Sequence, residues 1–292
     1  MSCPLPSIVP SALALALVAT PAAAQDLLPG GKLVLTNGIS SLEGASGGGL
    51  TPWATIAGNA TRDGIGVQAS ATVAEVESYD YRGFSVAVGA WDRIELSYAR
   101  QVFDTNAIGG ALGLGNDYKF DQDIYGVKLR LAGDMVYGDA LMPAIAVGAQ
   151  YKKNLDAPVV GAVGAAQAQG VDFYATATKL FLSHSVLVSA TARVTKANQL
   201  GLLGFGGDLR DSHGVHLEGT IAYQLSRNFA VGGEYRSKPD NLGIAREDDW
   251  YDLFAAYALN RNLTATLAYT DLGSVATVAG QRGVLFQLQA GF

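Results

Sequence analysis

The chain has 292 residues, a net charge of −6 and 49% apolar residues, with 36 Gly and 13 Tyr against 3 Met. The acidic balance speaks against nucleic acid as a partner, and the shortage of straight-chain helix formers points to strands and turns. Beyond the N-terminal segment no stretch approaches 18 consecutive apolar residues, so spanning helices are excluded while spanning strands are not.

The segment Ser11 to Thr20 (S-A-L-A-L-A-L-V-A-T) is a short apolar core followed by Pro21-Ala22-Ala23-Ala24-Gln25. Small residues in that position suit signal-peptidase cleavage, so residues 1–24 are expected to be a removed secretory signal and 25–292 a single exported domain. One departure is that Met1 to Pro10 carries no Lys or Arg. The only cysteine, Cys3, lies in the removed part, which leaves no thiol for a disulfide or a thiolate metal site.

Gly31 to Asn37 reads as a first strand, followed by the flexible run Gly38 to Gly49, either an outer loop or a segment folded inward. Thr51 to Gly58 and Ile65 to Val76 follow; in the latter Ile65, Val67, Ala69, Ala71 and Val73 alternate with Gln68, Ser70 and Thr72. From Tyr81 the rhythm is regular: two strands joined at Trp91-Asp92-Arg93, a long connection over 103–120, and Tyr125 to Leu131. Leu141 to Tyr151 follows; Val171 to Leu182 and Val186 to Thr195 pair around Ser183-His184-Ser185. Val215 to Leu225 turns at Ser226-Arg227-Asn228 into Phe229 to Arg236, and Tyr251 to Leu259 pairs with Leu263 to Tyr269 around Asn260-Arg261-Asn262.

The last ten residues, G-V-L-F-Q-L-Q-A-G-F, put Val284, Phe286, Leu288, Ala290 and Phe292 on one side and Gln287, Gln289 and Gly291 on the other. A strand with one greasy face, ending on an aromatic, resembles the assembly signal of bacterial outer-membrane β-barrels, with Phe286, Leu288 and Phe292 as its side chains. Long connections (103–120, 153–170, 197–212, 238–248, 272–282) alternate with short turns, as longer extracellular loops and short periplasmic turns do in such barrels. Trp91, Tyr98, Tyr151, Tyr223, Tyr235, Trp250, Tyr251 and Tyr269 fall mostly near strand ends, where aromatic girdles meet lipid headgroups. The expected fold is all-β, a transmembrane antiparallel up-and-down barrel of 14 strands, or 12 if the first two segments fold inward.

Leu35-Thr36-Asn37-Gly38-Ile39-Ser40 and Glu43-Gly44-Ala45-Ser46-Gly47-Gly48-Gly49-Leu50-Thr51-Pro52-Trp53 resemble a proteobacterial outer-membrane family catalogued as a domain of unknown function. The resemblance implies fold and location, not chemistry. Partners implied are outer-membrane lipid and lipopolysaccharide, the barrel-assembly machinery and small solutes.

The expected inward face carries Glu95, Lys128, Arg130, Lys179, Arg193, His216, Glu218, Glu234, Arg236 and Asp252. Mid-strand charge is affordable only toward water or an opposite charge. In strand order Lys128, Arg130, Lys179 and Arg193 precede Glu218, Glu234 and Asp252, so a basic wall is expected to face an acidic one across a porin-like lumen and set weak ion preference. The competing reading is a salt-bridge lattice in a closed barrel that acts through its outer loops, with Gly38 to Gly49 or 153–170 as a plug. A third reading, an outer-rim hydrolase, uses His213 or His216 with Ser212 and Asp211, but neighbours on one strand alternate faces and rarely form a triad. No metal site or cofactor is expected: Gly204 to Gly207 is not followed by Lys-Ser/Thr, and the acidic loop residues read as a solvated rim.

Overall fold

The computed structural model describes residues 31–36, 38–137 and 141–292, so the expected signal over residues 1–24, Cys3 and Asn37 lie outside it. Two short strands, β1 (Ile39–Ser40) and β2 (Ser46–Gly47), pair as a hairpin. The longer strands are β3 (Ile65–Val76), β4 (Asp80–Ala90), β5 (Ile94–Asp104), β6 (Lys119–Ala132), β7 (Ala144–Asn154), β8 (Gln169–Phe181), β9 (Val186–Thr195), β10 (Gly214–Ser226), β11 (Phe229–Arg236), β12 (Trp250–Ala258), β13 (Leu263–Asp271) and β14 (Arg282–Gly291). Each pairs antiparallel with its sequence neighbours, and β14 returns to β3, closing a barrel of 12 strands. Closure removes every unpaired edge, which a lipid-exposed sheet cannot leave unsatisfied. At the chain end, Val67 N–H donates to Phe292 O at 2.9 Å and Phe292 N–H returns a bond to Val67 O at 2.8 Å.

Twelve strands, not 14, form the wall, which corrects the main strand-count expectation and agrees with its alternative. Residues 31–36 are loop and turn, and Thr51 to Gly58 makes no ladder. The physical reason is lack of a greasy face: residues 50–58 are buried on all sides, and their main-chain groups bond to inward side chains of the wall instead of to neighbouring strands.

The wall follows the period-two pattern. Outward residues such as Val67, Leu96, Val127, Val215, Ile221, Leu253 and Leu267 are exposed, while the inward Gln68, Gln101, Gln122, Gln150, Thr176 and Gln287 are buried. An apolar exterior around a polar interior reverses the arrangement of a water-soluble barrel and suits a lipid surround. Leu253, mid-way along β12 and 70% exposed, is a point to test it. Leu253→Arg is expected to cost about 2–4 kcal/mol in unfolding from bilayers, the penalty for a cation near the midplane. A change near zero would contradict a lipid-facing β12.

At one end the connections are mostly short. Trp91 and Asp92 take positive φ (54° and 52°), the mirror-image turn geometry that matches strand twist, with Arg93 N–H donating to Ala90 O at 3.0 Å. At the other end lie the connections 105–118, 155–168, 196–213, 237–249 and 272–281, and two short helices, α1 (Asn106–Ala111) and α2 (Ala157–Ala162), sit in the first two of these. Both helices are absent from the sequence reading. Of the segment 153–170, residues 155–168 therefore belong to the rim cover and not to the lumen, and the rest to β7 and β8.

Candidate functional site

The lumen is filled by the chain's own N-terminal segment, residues 38–57, which is held by polar contacts and by two apolar ones, Trp53 and Ala54 against Ala146, Leu180, Leu187 and Ala222, and Leu50 against Leu200 and Trp250. Gly38 to Gly49 is the inward-folded segment that the sequence left open. Its glycines are needed for close approach: a Cβ on Gly48 would collide with the Glu234 carboxylate, and one on Gly47 with the main chain at Thr51 and Trp53. Gln68 Nε2 donates to Ser40 Oγ at 2.7 Å, Gln287 Nε2 to Ser40 O at 2.8 Å and Gln101 Nε2 to Leu42 O at 2.9 Å. Thr176 and Thr191 both donate to Pro52 O, at 3.2 and 3.0 Å.

Three charged anchors hold this plug. At the first, Glu43 of the plug, wholly buried, meets Lys152, Arg193 and Arg236 of the wall, with Arg193 at 3.1 Å and Arg236 at 2.8 Å. Asp172 and Glu218 complete the cluster: Asp172 lies 2.6 Å from Lys152, and Glu218 pairs with Arg193 and stands 3.5 Å from Arg236. Three cations face three carboxylates. Without Glu43 the wall would hold three cations against two acids, so the plug supplies the missing charge.

The second anchor is the buried pair Glu95 and Lys128, 3.1 Å apart. Glu95 accepts from Ser46 N–H at 3.1 Å and Ala57 N–H at 2.8 Å, and Lys128 donates to Ser46 O at 2.8 Å and Trp53 O at 3.2 Å. The third is Glu234, which accepts from Leu50 N–H and from the hydroxyls of Thr51 and Thr220, each at 2.8 Å. Asp252 lies beside it and accepts from Glu234 N–H at 3.1 Å. Each anchor thus ties main-chain or side-chain groups of the plug to acids or bases spread over several strands.

Of the expected lining, Glu95, Lys128, Arg130, Arg193, His216, Glu218, Glu234, Arg236 and Asp252 hold the inward parity of their strands. Arg130 sits at the short-turn rim, paired with Asp92, and His216 is half-buried toward the long-loop end. Lys179 is a correction. Asp172, Tyr174, Thr176, Thr178 and Leu180 take the inward positions of β8, so Lys179 has the outward parity. It is buried because the β6–β7 connection folds over it, and its ammonium donates to Asp134 O at 3.3 Å and Met142 O at 3.2 Å. The expected opposition of walls across open space is also replaced by direct contact, since Arg193 pairs with Glu218 on the adjacent strand.

The residues that the sequence reading missed are Glu43, Lys152 and Asp172. Parity could have found Lys152, which continues the inward series of Gln150 and ends with Asn154. The hydrolase group is dispersed: Arg210 Nε donates to Ser212 Oγ at 2.9 Å, Asp211 pairs with Lys196 at 2.7 Å, and His213 Nε2 lies 3.4 Å from Val171 O.

A separate buried pair lies in the long-loop cover. Lys238 and Glu247 are 3.3 Å apart; Gln199 N–H donates to Glu247 at 2.8 Å, and Lys238 lies 4.4 Å from the Trp250 ring centre. Burial pushes the Glu247 carboxyl up to about 7 and the Lys238 ammonium down to about 8. A raised carboxyl means that stability falls as pH rises from its ordinary value of 4.5 to about 7; a lowered ammonium means that it recovers from about 8 to 10.5. Against Lys238→Met/Glu247→Met, the wild-type chain is therefore expected to compare least well between pH 7 and 8 and better on either side, in urea unfolding at each pH. Lys238→Met alone removes the cation that holds the Glu247 carboxyl down, so its cost is expected to be small below about pH 7 and to grow as pH rises above it, where the buried carboxyl must stay protonated or ionise without its partner.

The Protein of unknown function (DUF3034) family model matches residues 36–289. The chain belongs to the DUF3034 family. The match takes in the plug, the anchors and the barrel up to residue 289 within β14, so the family is defined over the plugged unit. No curated protein matches the sequence. Among solved structures this DUF3034 protein is similar to the KdgM porin, with a TM-score of 0.51 and 10% identity over 77% of this chain and 99% of that one. The KdgM porin in complex with disordered oligogalacturonate gives 0.50, again at 10% identity over 77% and 99%. At such identity the likeness is one of fold alone, that of a closed antiparallel β-barrel.

Proposed function

We propose that this DUF3034 protein is an outer-membrane channel of porin type whose conduction is controlled by its own N-terminal plug, with the short turns toward the periplasm and the long loops outside. The observation that carries this reading is how the plug is held. Its three anchors at Glu43, Glu95 and Glu234 are ion pairs and hydrogen bonds to the lumen wall, groups that water can replace once the segment moves, and its apolar packing is confined to Trp53 and Ala54 at one place and Leu50 at another. The barrel supplies the path, the plug closes it, and small solutes pass when the plug yields. Inward Lys128, Arg193, Glu218, Glu234, Arg236 and Asp252 would then line the opened path, and the exposed outward strand face with Phe286, Leu288 and Phe292 would serve membrane assembly.

The test is planar-bilayer conductance of the refolded chain with Glu43→Ala beside it. Rare or absent steps from the wild type and frequent steps from the variant support a plugged channel. Silence from both, with folded barrels demonstrated, favours the second reading, a permanently closed barrel that works through its outer loops; the buried three-against-three ionic cluster is the observation on that side.

A further inference from the structure

The long-loop cover is apolar inside although it sits at the mouth of a polar lumen. Tyr79, Phe103, Phe120, Val160, Leu203 and Leu242 form a buried cluster there. Enclosed within the cover is a cavity of about 230 Å³, lined by residues of the β3–β4 turn, of β5 and β6, and of the five long connections. Phe103, Phe120, Ile108, Val159, Leu203 and Ala245 are typical of its walls, and among the described residues no Asp, Glu, Lys, Arg or His lines it. Two of its hydroxyls are already committed: Thr105 donates to Tyr118 O at 2.8 Å and Tyr79 to Val275 O at 3.2 Å. A sugar or an ion entering it would lose its water with little to replace it, at a cost of several kcal/mol. An apolar molecule would lose nothing.

Size and access agree. An apolar cavity of about 150 Å³ stays dry and takes up benzene, so this one has room for one ring with substituents or two fused rings. Its rim is open to solvent where Leu112 and Ile244 are 44% and 55% exposed. Inward it adjoins a second apolar space of about 50 Å³, which shares Phe103, Leu203 and Ala276 with it and ends on Leu42 and Leu50 of the plug. Leu42 precedes Glu43, and Leu50 carries the N–H held by Glu234. A molecule moving inward from the cavity would meet the plug at two of its charged anchors.

We propose that this cavity is a binding site for a small neutral apolar molecule, aromatic or branched aliphatic, taken as the channel's solute; its role as solute rests on the channel reading, while binding does not. The probe is 4-fluorotoluene, followed by fluorine NMR with the folded chain in detergent micelles. A bound resonance is expected, distinct from the micelle-partitioned one and saturating at one molecule per chain. Ala245→Phe, which fills the cavity, should weaken it at least tenfold; should that variant not refold, Ile244→Trp at the exposed rim should do the same. Absence of a bound resonance from the folded wild type, or a resonance unchanged in whichever variant folds, overturns the proposal. Conductance of Glu43→Ala reads the plug independently, so a silent channel with a bound probe refutes only the channel reading, and a conducting channel without a bound probe refutes only the site.

Discussion

Glu43→Ala is expected to turn a mostly silent barrel into one that conducts, by shifting the closed-to-open ratio about two to four orders of magnitude. Glu43 is the one plug carboxylate in a cluster with Lys152, Arg193 and Arg236, and all four are buried. Its removal leaves three wall cations facing Asp172 and Glu218 alone, and breaking a buried pair in this way costs about 3–5 kcal/mol. That cost falls on the plugged state. In the opened state the same cations meet water, so the substitution hardly penalises it. The direction of the effect follows from this difference, since a change equal in both states would move no population. Glu43→Gln, which keeps the hydrogen bonds to Arg236 in part and drops the charge, should fall between the wild type and Glu43→Ala.

Arg193→Met is expected to destabilise the whole barrel, again by about 3–5 kcal/mol in urea unfolding. Arg193 is 1% exposed and touches every acid of the cluster: Glu43 at 3.1 Å, Asp172 at 3.7 Å and Glu218 by direct pairing. Its guanidinium also lies 5.2 Å from the Tyr174 ring centre, and Nη1 donates to Gln150 at 2.7 Å. Without it three buried carboxylates share two cations. Glu218→Met in the same chain should restore part of the loss by removing one of those acids, and the double-mutant cycle isolates the coupling between the two strands. If Arg193→Met left stability within about 0.5 kcal/mol of the wild type, the cluster would be solvated and not the sealed junction described above.

The wall of this fold was legible because lipid on one side and polar groups on the other leave a period-two trace. Ile65 to Val76, Val186 to Thr195 and Phe229 to Arg236 are strands with the bounds that the sequence implies. The plug left a weaker trace. A segment buried on all sides by main-chain hydrogen bonds has no period, so Thr51 to Gly58 read as a strand, and the glycines of Gly38 to Gly49 read equally as loop or plug. Lys179 failed for a different reason. A mid-strand charge was expected to face the lumen, but Asp134 and Met142 of the β6–β7 connection take up this outward side chain from outside the wall. The helices α1 and α2, six residues each, are too short to show a helical period. The apolar cover of the lumen had no signal at all, because its residues come from connections far apart in sequence.

The central claim is that the plug controls passage through this barrel, and a tether between plug and wall tests it most directly. Ala54 N–H donates to Thr178 Oγ1 at 2.9 Å, which places the two residues in contact across the plug boundary. With Ala54→Cys and Thr178→Cys introduced into the Glu43→Ala chain from Gln25 onward, single-channel conductance is recorded before and after reduction of the bridge. The account predicts no steps while the bridge is closed and frequent steps once it is reduced. Equal steps in both conditions would contradict it, because current would then pass without the plug leaving its place.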